Sequence, residues 1–197
     1  MEITLSDTID LFVITKTTEG RSPKTTSWYR DMLTHFCDYL GNPKLAQVSI
    51  DDARRFVAHL QARETKWENH PLNKPTAGKL SINTIHGYIR ALKAFSNWAA
   101  EEGFVKLSPF ARLKKPRLPE TMINVLSDEE VKQLLDAINP NCILGARLYA
   151  MVLLLLDTGI RATELTTLTL ENTHLEDCCI KVVGKGNKDR STNYYKR

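Results

Sequence analysis

The sequence contains no long apolar run. Its longest, Leu148 to Leu156, is about half of the ~20 residues that a membrane-spanning helix requires, so it reads as a buried core helix and no membrane partner is expected. The first residues include Glu2, Asp7 and Asp10 where a secretory leader would carry a basic region, an apolar segment and a small-residue cleavage site. That makes the cytoplasm the expected compartment. Cysteine is scarce. Cys37, Cys142, Cys178 and Cys179 are scattered apart from one adjacent pair, a spacing that suits neither a zinc knuckle nor a thioredoxin-like redox pair, and they are expected to be small, mostly buried side chains. A GxxxxGK segment followed by Ser or Thr is missing too, which excludes a nucleotide-binding P-loop of that type.

What is present is unevenly placed. With 27 basic and 23 acidic side chains the net charge is +4, and 42% of residues are hydrophobic, values ordinary for one or two globular domains. Up to Leu118 there are 18 basic and 12 acidic residues, a balance of +6, whereas from Pro119 onward 9 basic and 11 acidic residues leave −2. An anionic partner belongs most simply on the first half.

The first hundred residues carry repeated helix punctuation. One helix is predicted from about Ser6, with Ile9, Phe12 and Val13 on one face, to a break at Gly20. A second opens at Ser22 with Pro23 in its first turn and carries Tyr29, Leu33, Phe36 and Leu40 before Gly41. Ser49 caps a third, with Ala53, Phe56, Val57 and Leu60 as its core stripe. Ser81 caps a fourth, with Ile85, Ile89, Leu92, Phe95 and Ala99 inward, Trp98 near the edge of the stripe, and Gly103 as the stop.

On the fourth helix, His86, Arg90, Lys93 and Asn97 follow at spacings of four, three and four, so they share a ridge turned away from the apolar stripe. A charged helix face is commonly no more than a solvated surface. Here the preceding loop adds Arg63, Lys66, Lys74 and Lys79, and the tract after the helix adds Arg112, Lys114, Lys115 and Arg117. Several basic elements in one small helical domain suggest a surface for nucleic-acid phosphates, where affinity comes largely from counterion release. The tract itself, Leu107 to Pro119, holds three prolines, which predicts an extended, solvated connector.

A second domain begins near Leu126. Ser127 and Glu130 form a capping-box pattern before Val131, Leu134, Leu135 and Ile138, and Pro140 stops that helix. The stretch from Leu144 to Asp157 is apolar on nearly every side, as expected of a core helix. Thr158-Gly159 then breaks the chain, Leu165, Leu168 and Leu170 are apolar positions of the next stretch, and from Cys179 a β-branched run leads into a Gly-Lys-Gly-Asn turn, predicting an antiparallel hairpin.

Two segments of this half are informative together: Asp157 to Leu165, DTGIRATEL, and Val182 to Arg190, VVGKGNKDR. Arg161 follows a buried helix and a glycine break, so the core can aim its guanidinium. Glu164, three residues on, can orient it by a charge-assisted hydrogen bond. Lys185 sits at a glycine-flanked turn from which an ammonium group could approach a bound phosphate. An arginine and a mobile lysine can stabilise charge on a phosphoryl group and protonate a leaving oxygen. Taken singly, the first pair is also a common surface ion pair and the second motif a common hairpin turn.

The two segments, with the four helices and the basic proline-containing tract, resemble the tyrosine recombinase or phage integrase family over nearly the whole chain. The resemblance implies a mainly α fold. A four-helix SAM-like core-binding domain over residues 1–105 would be followed by a linker at 106–119 and, over 120–197, by the start of a mixed α+β catalytic domain with a small antiparallel hairpin. It makes Arg161 the first catalytic arginine, Glu164 its acidic support and Lys185 the hairpin general acid. It further implies site-specific recombination of double-stranded DNA through a phosphotyrosyl intermediate, by four protomers on two sites, with no metal or nucleotide cofactor.

The departures bear on activity. Family members carry a His-x-x-Arg segment and a nucleophilic tyrosine beyond the hairpin. Here the residues three places after His35, His59, His70, His86 and His174 are Asp38, Ala62, Asn73, Ile89 and Asp177, and Tyr194 and Tyr195 follow the hairpin too closely. The expectation is therefore a DNA-binding fragment that does not cleave by itself and whose apolar helix at Leu148 to Leu156 lacks cover. The competing expectations are a regulatory DNA-binding protein derived from a recombinase and a helical protein-interaction module.

Overall fold

A hydroxyl side chain precedes each of the four long helices in the first half of the chain, and each accepts a backbone N–H that the helix itself cannot satisfy. In the computed structural model, which describes residues 3–66, 74–117, 124–184 and 188–194, the first helix α1 spans Leu5–Thr18 and is capped by Thr4. The predicted start at Ser6 is thus one residue late, because the Thr4 hydroxyl takes the Asp7 N–H at 3.2 Å. Ser22 caps α2 (Pro23–Leu40), Ser49 caps α3 (Ile50–Ala62) in a full capping box with Asp52, and Ser81 caps α4 (Ile82–Glu101). Two short antiparallel strands, β1 (Thr65–Lys66) and β2 (Thr76–Ala77), lie between α3 and α4.

The chain divides into two compact units, Met1–Glu120 and Thr121–Arg197. In the first, the predicted stripes meet in one core: Ile9 and Phe12 from α1, Leu33 and Phe36 from α2, Phe56 and Leu60 from α3, and Ile89, Leu92 and Phe95 from α4 are all buried. Edge-to-face ring pairs tie the helices together, with centroids 5.7 Å apart for Phe12–Phe95 and 5.2 Å for Phe36–Phe56. Trp98 is inside this core, not near its edge, because its ring packs 5.3 Å from that of Phe12.

The tract from Leu107 is not a solvated connector throughout. Phe110 and Leu113 are 1% and 5% exposed, and the Phe110 ring stands 5.7 Å from Phe36. Two apolar residues three apart dock the tract on the first core, leaving Arg112, Lys114, Lys115 and Arg117 in water.

The second unit has a much smaller core. Its first helix, α5 (Asp128–Asp136), begins with the predicted capping box of Ser127 and Glu130. The next, α6 (Ile143–Thr158), has no buried residue, and Leu144 and Leu148 are 78% and 50% exposed, so the expected core helix is covered on one side only. That cover is a three-stranded antiparallel sheet of β3 (Thr173–His174), β4 (Cys179–Gly184) and β5 (Lys188–Asn193), in the order β3-β4-β5. Ile180 and Val182 alternate inward from exposed Lys181 and Val183 and join Ile160 in the core, against which Leu154, Leu155 and Leu165 pack. Leu170, predicted as an apolar position, is instead 90% exposed, at the start of the short 3₁₀ turn that follows α7 (Ala162–Thr166). No helix among the described residues is long and apolar enough to cross a membrane.

Candidate functional site

α6 ends at Gly159, whose φ of 61° is the left-handed conformation that glycine adopts without a Cβ penalty. Buried Ile160 then pins the chain to the sheet, and Arg161 follows in extended conformation as the residue before α7. One turn on, the Glu164 carboxylate reaches back. Its Oε2 accepts the Arg161 backbone N–H at 2.7 Å and its Oε1 accepts Arg161 Nη1 at 2.8 Å. The Glu164 side chain is 4% exposed and that of Arg161 61%, so the acid lies inside and the guanidinium faces water.

The Arg161 N–H holds the Glu164 carboxyl below the usual carboxylate range, against the opposing effect of burial, and the two neighbouring arginines add to it. The second of these is Arg190, on β5, whose Nη2 donates to Glu164 Oε2 at 2.9 Å. Arg190 was not among the candidate residues expected from sequence. The signal for it was strand alternation: Arg190 pairs in register with Val182, an inward position of β4, which puts it on the sheet face that carries the core. Lys185 lies outside the described residues. Among those residues no group of three or more His, Cys, Asp and Glu side chains is placed to hold a metal ion.

In the first unit the ridge of α4 is largely engaged with the tract docked on it. His86 Nε2 donates to the Pro116 carbonyl at 2.7 Å, Lys93 Nζ to the Leu113 carbonyl at 3.4 Å, and Ser108 donates to Asn97 Oδ1 at 2.7 Å. Arg90 is exposed, its guanidinium carbon 5.3 Å from the centroid of the Trp28 ring. The structure therefore joins two groups that stand apart in the sequence: His86, Lys93 and Asn97 hold the tract, and Arg112, Lys114, Lys115 and Arg117 project from it. Lys74 and Lys79, flanking β2, are exposed.

Comparison with known proteins agrees with this architecture. The model of the phage integrase SAM-like domain matches residues 4–116, and that of the phage integrase family matches residues 124–194. The chain belongs to the phage integrase, or tyrosine recombinase, family. This recombinase-family chain is 32% identical over 185 residues to tyrosine recombinase XerD of Haemophilus influenzae, covering 92% of the chain and 57% of that protein. It is 30% identical over 186 residues to tyrosine recombinase XerC of Oceanobacillus iheyensis, covering 92% and 56%. The chain thus spans little more than half the length of these relatives. Its fold matches that of a lambda integrase tetramer bound to a Holliday junction, with a TM-score of 0.73 at 14% identity over 97% of this chain and 51% of the other. The fold class is as expected: mainly α with small antiparallel sheets.

Proposed function

We propose that this polypeptide binds duplex DNA in site-specific recombination or integration. In this reading residues 1–105 are the core-binding domain, 106–119 the linker and 120–197 part of the catalytic domain. One observation carries it: a buried carboxylate fixes both the backbone and the guanidinium of Arg161 and leaves that guanidinium open to water. Arg161 would hold the non-bridging oxygens of a phosphodiester, Glu164 would keep it in place, and Lys185 would be the general acid for a leaving 5′ oxygen only where a nucleophile from outside residues 1–197 attacks that phosphodiester. The tract cations Arg112, Lys114, Lys115 and Arg117, with Arg90, Lys74 and Lys79, would contact backbone phosphates along the duplex. Residues 1–197 contain no His-x-x-Arg segment, so the polypeptide would bind without cleaving. Other recombinase protomers would be its protein partners, and the DNA-containing cytoplasm its place of action.

Fluorescence anisotropy with a mixed-sequence duplex over a range of salt tests binding. Affinity that falls steeply and linearly on a log–log plot is expected, whereas absent or salt-insensitive binding would favour a protein-interaction module. Incubation with nicked duplexes of randomised sequence tests the second part: a covalent adduct at Tyr194 or Tyr195 would overturn the non-cleaving reading.

A further inference from the structure

Glu164 serves two guanidinium groups, and the proposed function uses one. Arg161 bonds Oε1 at 2.8 Å and Arg190 bonds Oε2 at 2.9 Å, so the interacting nitrogens stand no further apart than one carboxylate's width plus two hydrogen bonds. The carboxylate is 4% exposed, while the Arg161 and Arg190 side chains are 61% and 47% exposed. One negative charge is therefore inside and two positive charges face water, giving a local balance of +1.

A structural role alone does not call for both cations, since the buried carboxylate already has a charged partner and a backbone N–H in Arg161. Two guanidiniums bonded to the same carboxylate repel one another. A shared buried counter-ion holds them together, and each still carries N–H donors, from the five on a guanidinium, that Glu164 does not use. Such a pair suits a second anion with two oxygens, taken on the solvent side. The backbone fixes the spacing as well: Arg161 stands at the start of α7, and Arg190 is locked opposite buried Val182 by the β4–β5 register.

We propose that Arg161 and Arg190 form a two-guanidinium clamp for a single phosphodiester, with Glu164 as the shared positioning residue. The clamp rests on the reading that the second unit takes a DNA phosphate, and extends it to a residue of the hairpin strand.

The test is an NMR titration of the ¹⁵N-labelled 197-residue chain with a short mixed-sequence duplex, following the arginine Nε–Hε signals. Those of Arg161 and Arg190 are assigned by their loss in R161K and R190K. Both signals should move with one midpoint, R190Q, which takes the local balance from +1 to 0, should reduce the log–log salt slope of binding by up to about 0.9, and R190K should restore most of that slope. Movement of the Arg161 signal alone, with an unchanged slope in R190Q, would leave Arg190 as a structural brace and overturn the clamp. Binding with neither signal moving would overturn it while leaving DNA binding by the first unit intact. A complete lack of binding would overturn both readings.

Discussion

Glu164 Oε2 accepts two hydrogen bonds, from the Arg161 backbone N–H at 2.7 Å and from Arg190 Nη2 at 2.9 Å. A single oxygen thus joins the start of a helix to a strand residue 26 positions beyond Glu164 itself. The site depends on that oxygen being ionised, which has a measurable consequence.

The folded state holds the Glu164 carboxyl below its ordinary value of 4.5. A depressed carboxyl contributes stability that is fully present above the unfolded value and is lost as pH falls through the folded one. Protection of the Arg161 amide against hydrogen exchange, corrected for intrinsic rates, should therefore hold at neutral pH and decline on acidification below the ordinary value. In E164A, which has no side-chain acceptor, it should be weak throughout. Equal protection in the two proteins would mean that the carboxylate does not hold the Arg161 N–H.

Phe110 makes the first unit longer than its four helices. Phe110→Ala should destabilise it by about 3–5 kcal/mol, the usual cost of emptying a buried aromatic site, read from denaturant unfolding by tryptophan fluorescence. Trp28, Trp67 and Trp98 all lie in this unit, so the signal reports on it directly. A freely solvated connector would give a change within about 0.5 kcal/mol.

The docked tract also divides labour between the basic groups. Changing Arg112, Lys114, Lys115 and Arg117 together to Gln should lower the log–log salt slope of duplex binding by about 0.9 for each phosphate that is no longer neutralised, with no change in the tryptophan unfolding midpoint. H86A should act differently: it removes the donor to the Pro116 carbonyl, so tryptic cleavage after Lys114 should quicken. A larger loss of affinity in H86A than in the four-residue variant would return the DNA-binding surface to the helix ridge.

α6 exposes Leu144 and Leu148, and contiguous apolar surface of this kind promotes association. Leu144→Lys combined with Leu148→Lys should reduce self-association of the 197-residue polypeptide in sedimentation velocity runs while shifting unfolding by no more than about 0.5 kcal/mol per site. A strongly destabilised variant would show that these leucines are packed in solution.

Much of the architecture is set by short-range chemistry and could be read from the chain itself. The caps at Ser22, Ser49, Ser81 and Ser127, the stripes that form the first core, the glycine break before Arg161 and the Arg161–Glu164 pair each depend on residues three or four apart, where helix geometry dictates who meets whom. The family motifs are equally local, and they carried the resemblance. Three other features depend on segments distant in sequence: Arg190 meeting Glu164, Phe110 entering the first core, and the α4 ridge holding residues 108–116. Strand register and core packing, which bring such segments together, are properties of the folded chain as a whole. Residue types and spacing determined which groups were equipped to touch a phosphate. Only the tertiary structure decided that the buried carboxylate serves two arginines, and that part of the ridge expected to face DNA is the seat for the basic tract.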